Sequence, residues 1–158
     1  MSNSVEMDEE SLGAALARRL LDGDTLAEAV GLSDGCLESI YSVAYQLYQG
    51  GQYERAGKVF RFLCVYHQYD PRFFTGAAAC LQMQGQYVKA LEHYAMALIL
   101  DKDSPDVPLQ TARCLLALGR HGEAGEALEA CRRLAGEDGK RQEEIRALAS
   151  FVQAGRQS

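Results

Sequence analysis

Apolar and small residues recur along this chain with a step of 34. The columns are Ala44/Ala78/Ala112, Leu47/Leu81/Leu115, Ala56/Ala90/Ala124 and Phe60/Tyr94/Leu128, and Gly51, Gly85 and Gly119 keep the same step. Between these marks the apolar positions follow the helical period and not the strand period. In the first unit the pattern predicts a helix A over about 37–49 and a helix B over about 53–66, with Gly50-Gly51 supplying a left-handed turn between them. Ser33 and Asp34 are potential caps before the first helix. Asp70-Pro71 and Ser104-Pro105, again 34 apart, each read as a capping side chain followed by proline at the first helical position, where its missing N–H costs nothing. Pro108 biases Val107 away from helical geometry and predicts a third A helix that starts only at 107 or 108.

A period of 34 with small residues at the eighth and twentieth places and bulky ones at the eleventh and twenty-fourth is the mark of tetratricopeptide helix pairs. The expected fold is therefore all-α, with three pairs (37–70, 71–104 and 105–138) stacked into a superhelical solenoid. No unit buries its apolar face alone, so the stack shares one core, and its hollow side is where an extended peptide would bind.

Residues 1–36 form an N-terminal helical segment in this reading. Asp8, Glu9 and Glu10 precede Arg18 and Arg19, an order that complements a helix dipole over 8–21. Leu12, Leu16 and Leu20 make one apolar stripe there, which needs a partner and is the candidate for dimerisation. Gly23 breaks the run, and Thr25-Leu-Ala-Glu28 has the spacing of a capping box that would start a short helix ending near Gly31. At the other end, 136–139 read as a loop, and 139–158 as a capping helix and tail whose Ile145, Leu148, Phe151 and Val152 would cover the last repeat.

Composition narrows the function. A chain of 158 residues has room for one domain. It opens on polar and acidic residues and contains no run of eighteen apolar ones, so neither export nor direct membrane insertion is expected. A net charge of −6 without a long basic cluster argues against direct nucleic-acid binding. The five cysteines, Cys36, Cys64, Cys80, Cys114 and Cys131, show no C-x-x-C pair and read as small buried apolar residues in a reducing cytoplasm. No two histidines have metal-ligand spacing, and no phosphate loop, G-x-S-x-G or thiol-enzyme signature occurs, so no metal, cofactor or active site is assigned. His93 and His121 are expected exposed on B helices, and Glu123, Glu126 and Glu129 on a solvated face.

Once the core columns are set aside, Tyr41, Tyr45 and Tyr48 remain on one face of the first A helix. They read either as core packed under the N-terminal helices or as a surface gripping an extended peptide, for which tyrosine offers a large apolar body with a polar tip. The matching places are Thr75, Ala79 and Gln82 with Met83 beside them in unit two, and Leu109, Arg113 and Leu116 in unit three. Arg72 is a candidate carbonyl or carboxylate partner, and Tyr66 and His67 are counted with the groove rim.

The string Tyr41-Ser-x-Ala-Tyr45-x-x-Tyr48-x-x-Gly51, then Phe60-Arg-Phe-Leu-Cys64 and Tyr69-Asp-Pro-Arg-Phe-Phe74-x-Gly76, resembles the class II chaperones of bacterial type III secretion systems. The likeness runs on through Gly85-Gln-Tyr87-x-x-Ala90, Pro105-x-x-Pro108 and Cys114-Leu-Leu116, with Gly23-x-Thr25-Leu26 upstream. It spans about residues 12–130. The resemblance implies a non-enzymatic chaperone in the bacterial cytoplasm that holds hydrophobic translocator proteins before secretion. It further implies an extended Pro-x-Leu-x-x-Pro cargo segment in the concave groove, with Tyr41, Tyr45 and Tyr48 at the places of the family's groove aromatics, and pairing into a homodimer through N-terminal helices. Leu109 stands where members of that family often carry an aromatic residue. Some members co-activate transcription, so a transcriptional regulator stands as a further partner on that basis. A general adaptor for the acidic tails of heat-shock chaperones would need Lys and Asn where Tyr41 and Tyr45 stand. An assembly module using the leucine stripe is the remaining alternative.

Overall fold

The computed structural model describes residues 9–156, all of whose regular elements are helices. In order they are α1 (Glu9–Leu21), α2 (Leu26–Ala29), α3 (Asp34–Gln49), α4 (Tyr53–Tyr66), α5 (Pro71–Met83), α6 (Tyr87–Leu100), α7 (Asp106–Ala117), α8 (His121–Ala135) and α9 (Gly139–Arg156). Each helix from α3 to α9 packs against the next, which makes three stacked helix pairs with α9 laid over the last. This is the tetratricopeptide solenoid expected above, closed at its far end by a capping helix.

The small columns explain why the pairs approach so closely. Ala44, Ala78, Ala112, Ala56, Ala90 and Ala124 have no exposed surface, and Phe60, Tyr94 and Leu128 fill the space between them. Gly51, Gly85 and Gly119 all take positive φ, between 71° and 74°, so the same left-handed turn closes every A helix. In the first unit only Gly51 does this; Gly50 stays at φ −78°. The Gln52 N–H then reaches back to the Leu47 carbonyl at 2.9 Å, satisfying a carbonyl left over at the helix end.

The helix starts follow their caps. Ser33 accepts the Cys36 N–H at 3.2 Å, so α3 begins at Asp34, ahead of the expected start at 37. Asp70 accepts the Arg72 N–H at 2.9 Å with Pro71 at the first helical position. Unit three differs from the expectation. Pro105 occupies the cap in αR geometry without a side-chain cap bond, and α7 already starts at Asp106. Pro108 does not delay it, because the third helical position lies in the first turn, where an N–H has no partner within the helix. Thr25 and Glu28 close the capping box of α2, with Thr25 N–H donating to the Glu28 carboxylate at 2.6 Å and Glu28 N–H to the Thr25 hydroxyl at 3.2 Å.

In α9, Ile145 and Val152 are buried against the last pair and Leu148 half-buried, but Phe151 is 62% exposed. Stepping back six residues from Phe151 to Ile145 turns well away from the buried stripe, so the helix spends Phe151 on solvent. His121, expected in the open, lies under this helix. A Cβ on Gly155 would sit 2.1 Å from the His121 ring, so only glycine admits α9 at that distance. Of the five cysteines expected to be buried, Cys36 is instead exposed near the start of α3, whereas Cys80, Cys114 and Cys131 are buried and Cys64 is half-buried. Burial pushes the Cys64 thiol up to about 12 and those of Cys80 and Cys114 up to about 11.

Candidate functional site: the tyrosine groove

An open groove of about 310 Å³ runs from α3 across α5 to the start of α7. Helical spacing aligns Tyr41, Tyr45 and Tyr48 along one wall. Phe60, Thr75, Gly76 and Ala79 form the floor, and Asp101, Ser104, Asp106 and Val107 line the far end. The lining is mostly apolar, with a few polar groups at its edges.

Of the sequence candidates, the groove thus gathers Tyr41, Tyr45, Tyr48, Arg72, Thr75 and Ala79. The two readings of the tyrosines divide between residues. Tyr41 packs its ring against Phe60 and Phe73, at centroid distances of 5.9 and 5.8 Å, and Tyr48 meets Tyr53 at 5.3 Å. Burial is the main cause that lifts both of these phenols above their ordinary range, offset in part at Tyr41 by Arg72. Tyr45 is 47% exposed, with the Tyr41 ring 6.3 Å away as its nearest aromatic neighbour. Tyr41 and Tyr48 are therefore at once core and groove wall, while Tyr45 is open surface.

Arg72 is less available than its position suggests. Its guanidinium lies 4.9 Å over the Tyr41 ring and is held by Asp70 at 2.6 Å and Glu38 at 2.5 Å. Those two carboxylates raise its pKa and fix it as a brace between α3 and α5. Thr75 turns its hydroxyl to the Pro71 carbonyl at 2.9 Å.

The remaining candidates lie outside the groove lining. Leu109 is 2% exposed, in the core shared by α7, α8 and α9, and contributes to stability where an open side chain was expected. Gln82 accepts from the Tyr94 hydroxyl at 2.7 Å and donates to Gln110 at 3.2 Å, so its amide ties α5 to α6 and α7. Met83 is 50% exposed and does not line the groove. Tyr66 stacks on Phe62 at 4.2 Å on α4. His67 packs edge-on to Phe73 beside a separate cleft lined by Asp34, Glu38 and Asp70. Conversely, sequence reasoning missed Asp101, Ser104 and Asp106. Asp101 and Ser104 sit in the connection between α6 and α7 and Asp106 opens α7, and only the superhelical curl brings this stretch opposite the first A helix. Leu12 and Leu20 of the N-terminal stripe are each 44% exposed, and Leu16 is half-buried. Among the described residues no three His, Cys, Asp or Glu side chains converge as a metal site requires, and no helix is long and apolar enough to cross a membrane.

Fold and groove together define a tetratricopeptide scaffold, and the known proteins this chain is similar to narrow the class. Tetratricopeptide repeat family models match residues 37–70 and 81–149. The chain is 41% identical over 121 residues to the low calcium response locus protein H of Yersinia pestis, covering 77% of this chain and 72% of that protein. A type III secretion complex from Aeromonas hydrophila superimposes with a TM-score of 0.80 at 30% identity, over 91% of this chain and 96% of that one. The Yersinia enterocolitica type III secretion chaperone SycD, solved in complex with a peptide of the translocator YopD, superimposes at 0.72 with 38% identity, over 79% of this chain and 95% of that one. The chain belongs to the class II translocator chaperones of bacterial type III secretion systems.

Proposed function

We propose that the tyrosine groove holds an extended segment of a hydrophobic translocator protein, of the form Pro-x-Leu-x-x-Pro, keeping it soluble and competent for secretion. The work takes place in the bacterial cytoplasm and involves no catalysis. In this reading residues 37–138 carry the cargo, 1–36 serve self-association and 139–158 cap the stack. The observation that carries the proposal is the half-exposed Tyr45 standing over an apolar floor of Phe60, Gly76 and Ala79, between Tyr41 and Tyr48. The peptide complex of the similar chaperone SycD supports it. Proline at both ends restricts the peptide backbone before binding, so little conformational entropy is left to lose.

Calorimetric titration of a Pro-Ala-Leu-Ala-Ala-Pro peptide tests this. Truncating an aromatic anchor costs about 2 kcal/mol or more, so Tyr45→Ala is expected to weaken binding at least ~30-fold. Exposed Glu126→Ala on α8 serves as the control and leaves affinity unchanged. Equal affinity of Tyr45→Ala and wild type, with both folded, overturns the proposal.

A second reading concerns α1, whose leucines Leu12 and Leu20 stay uncovered in the single chain. Pairing of two such stripes would make a homodimer. Deleting residues 1–21 is then expected to give a smaller species with the repeats still folded; a monomeric intact chain by light scattering at micromolar concentrations refutes the pairing.

A further inference from the structure

The far end of the groove differs in character from its tyrosine wall. Asp101, Ser104 and Asp106 line it together, while among the described residues Arg72 is the one cation in the groove lining and Arg141 meets Asp106 from outside it. Arg72 is divided between Glu38 and Asp70, and Arg141 is bonded to Asp106 with Asp138 at 3.6 Å. Each of these clusters leaves one negative charge over. Asp101 is exposed and has no cation within salt-bridge distance among the described residues; its Oδ1 accepts the Asp103 N–H at 3.1 Å. Lys102 and Asp103, next to it in sequence, do not line the groove.

We propose that this end of the groove selects a lysine or arginine in the cargo, within or directly beside the Pro-x-Leu-x-x-Pro segment, with Asp101 as its principal partner. The inference rests on the groove being the cargo cleft and adds the charge of the segment it prefers. An apolar cargo side chain laid over Asp101 would strip water from the carboxylate with nothing in exchange. A cationic one replaces that water with an opposite charge, and an acidic one meets like-charge repulsion. The two proline-anchored ends fix which cargo residue faces this corner, so the preference belongs to one place in the segment.

The test uses the full chain and Pro-Ala-Leu-Ala-Ala-Pro as the neutral reference, with Lys or Glu placed in turn at each alanine and at the residue on either side. Exposed charge pairs are weak, but exchanging Lys for Glu converts an attraction into a repulsion. At one place the Lys peptide is expected to bind about tenfold tighter than the Glu peptide at low salt. The gap narrows as salt is raised past 0.1 M, where the screening length is ~10 Å. Asp101→Asn keeps the acceptor for the Asp103 N–H and is expected to reduce the gap to about threefold or less, and Asp101→Lys to reverse it. If the neutral peptide binds but no place distinguishes Lys from Glu, or the full gap survives in Asp101→Asn, the charge preference is wrong while the cleft stands. If no peptide binds the wild-type chain, the cleft reading falls and the preference with it.

Discussion

Gly76 lies mid-way along α5, where glycine ordinarily weakens a helix, and its replacement by alanine tests how the groove floor is built. A Cβ added there would lie 2.3, 2.5 and 2.6 Å from three ring carbons of Phe60 on α4. Carbon atoms settle at about 3.5–4.0 Å, so α4 and α5 would have to separate by roughly 1 Å or the ring would have to turn. The ring has little freedom: Phe60 is 2% exposed and Tyr41 stands edge-on to it at 5.9 Å. Overpacking of this kind costs about 1–3 kcal/mol, and a contact this short belongs at the upper end. Against it stands about 1 kcal/mol gained from the better helix propensity of alanine. Gly76→Ala is therefore expected to destabilise by about 2 kcal/mol, which for a chain of this length lowers the thermal midpoint by about 4–8 °C. Helical ellipticity followed through thermal and urea unfolding measures it. Gly122→Ala on α8, whose Cβ would meet nothing within 4 Å, is the matched control and is expected to leave the midpoint unchanged or raise it. Introducing Gly76→Ala beside Phe60→Leu should cost less than in the wild type, because the smaller side chain yields the space. A midpoint for Gly76→Ala at or above wild type would refute the close-approach account of the α4–α5 contact.

Ala90, fully buried at the twentieth place of unit two, should lose about 1–3 kcal/mol on substitution by leucine, read by urea unfolding; an unchanged midpoint would break the assignment of the small columns. Native alkylation with iodoacetamide at pH 8, followed by intact mass, should add one adduct at exposed Cys36 within minutes. Cys64, with its thiol held at about 12, and the buried Cys80 and Cys114, at about 11, stay neutral and protected, so rapid multiple adducts would contradict the packing. The Glu28 carboxylate is lowered from its ordinary 4.5, first by the Thr25 N–H and then by the Thr25 hydroxyl, so its ionised form is the one the fold favours. Its contribution is present above pH 4.5 and lost as pH falls through the lowered value; the stability difference between wild type and Glu28→Gln should shrink on acidification, and a difference independent of pH would exclude this role.

The helices, their turns and the three-pair stack were legible in the sequence because each depends on neighbours a few residues away. A cap needs a side chain two or three places ahead, as at Ser33 and Asp70, and a left-handed turn needs a glycine at its own position, as at Gly51, Gly85 and Gly119. The alanine columns were legible for a related reason: repetition at 34 places the same close contact in every unit. The stripe of Tyr41, Tyr45 and Tyr48 was visible as a helix face, but the tertiary structure decided that Tyr41 and Tyr48 lean on the core while Tyr45 stands open. The same holds for side chains whose partners are distant along the chain. Leu109 looked like groove and became core because α9 closes over α7, and Gln82 spends its amide on Tyr94 and Gln110. His121 lies under Gly155, which no local pattern announces. Most of all, Asp101 and Asp106 reach the tyrosine wall across some sixty residues of chain. Sequence spacing determines which way a side chain points from its own helix; what it then meets depends on the superhelical curl, a sum of small rotations at every packed interface that only the assembled stack fixes.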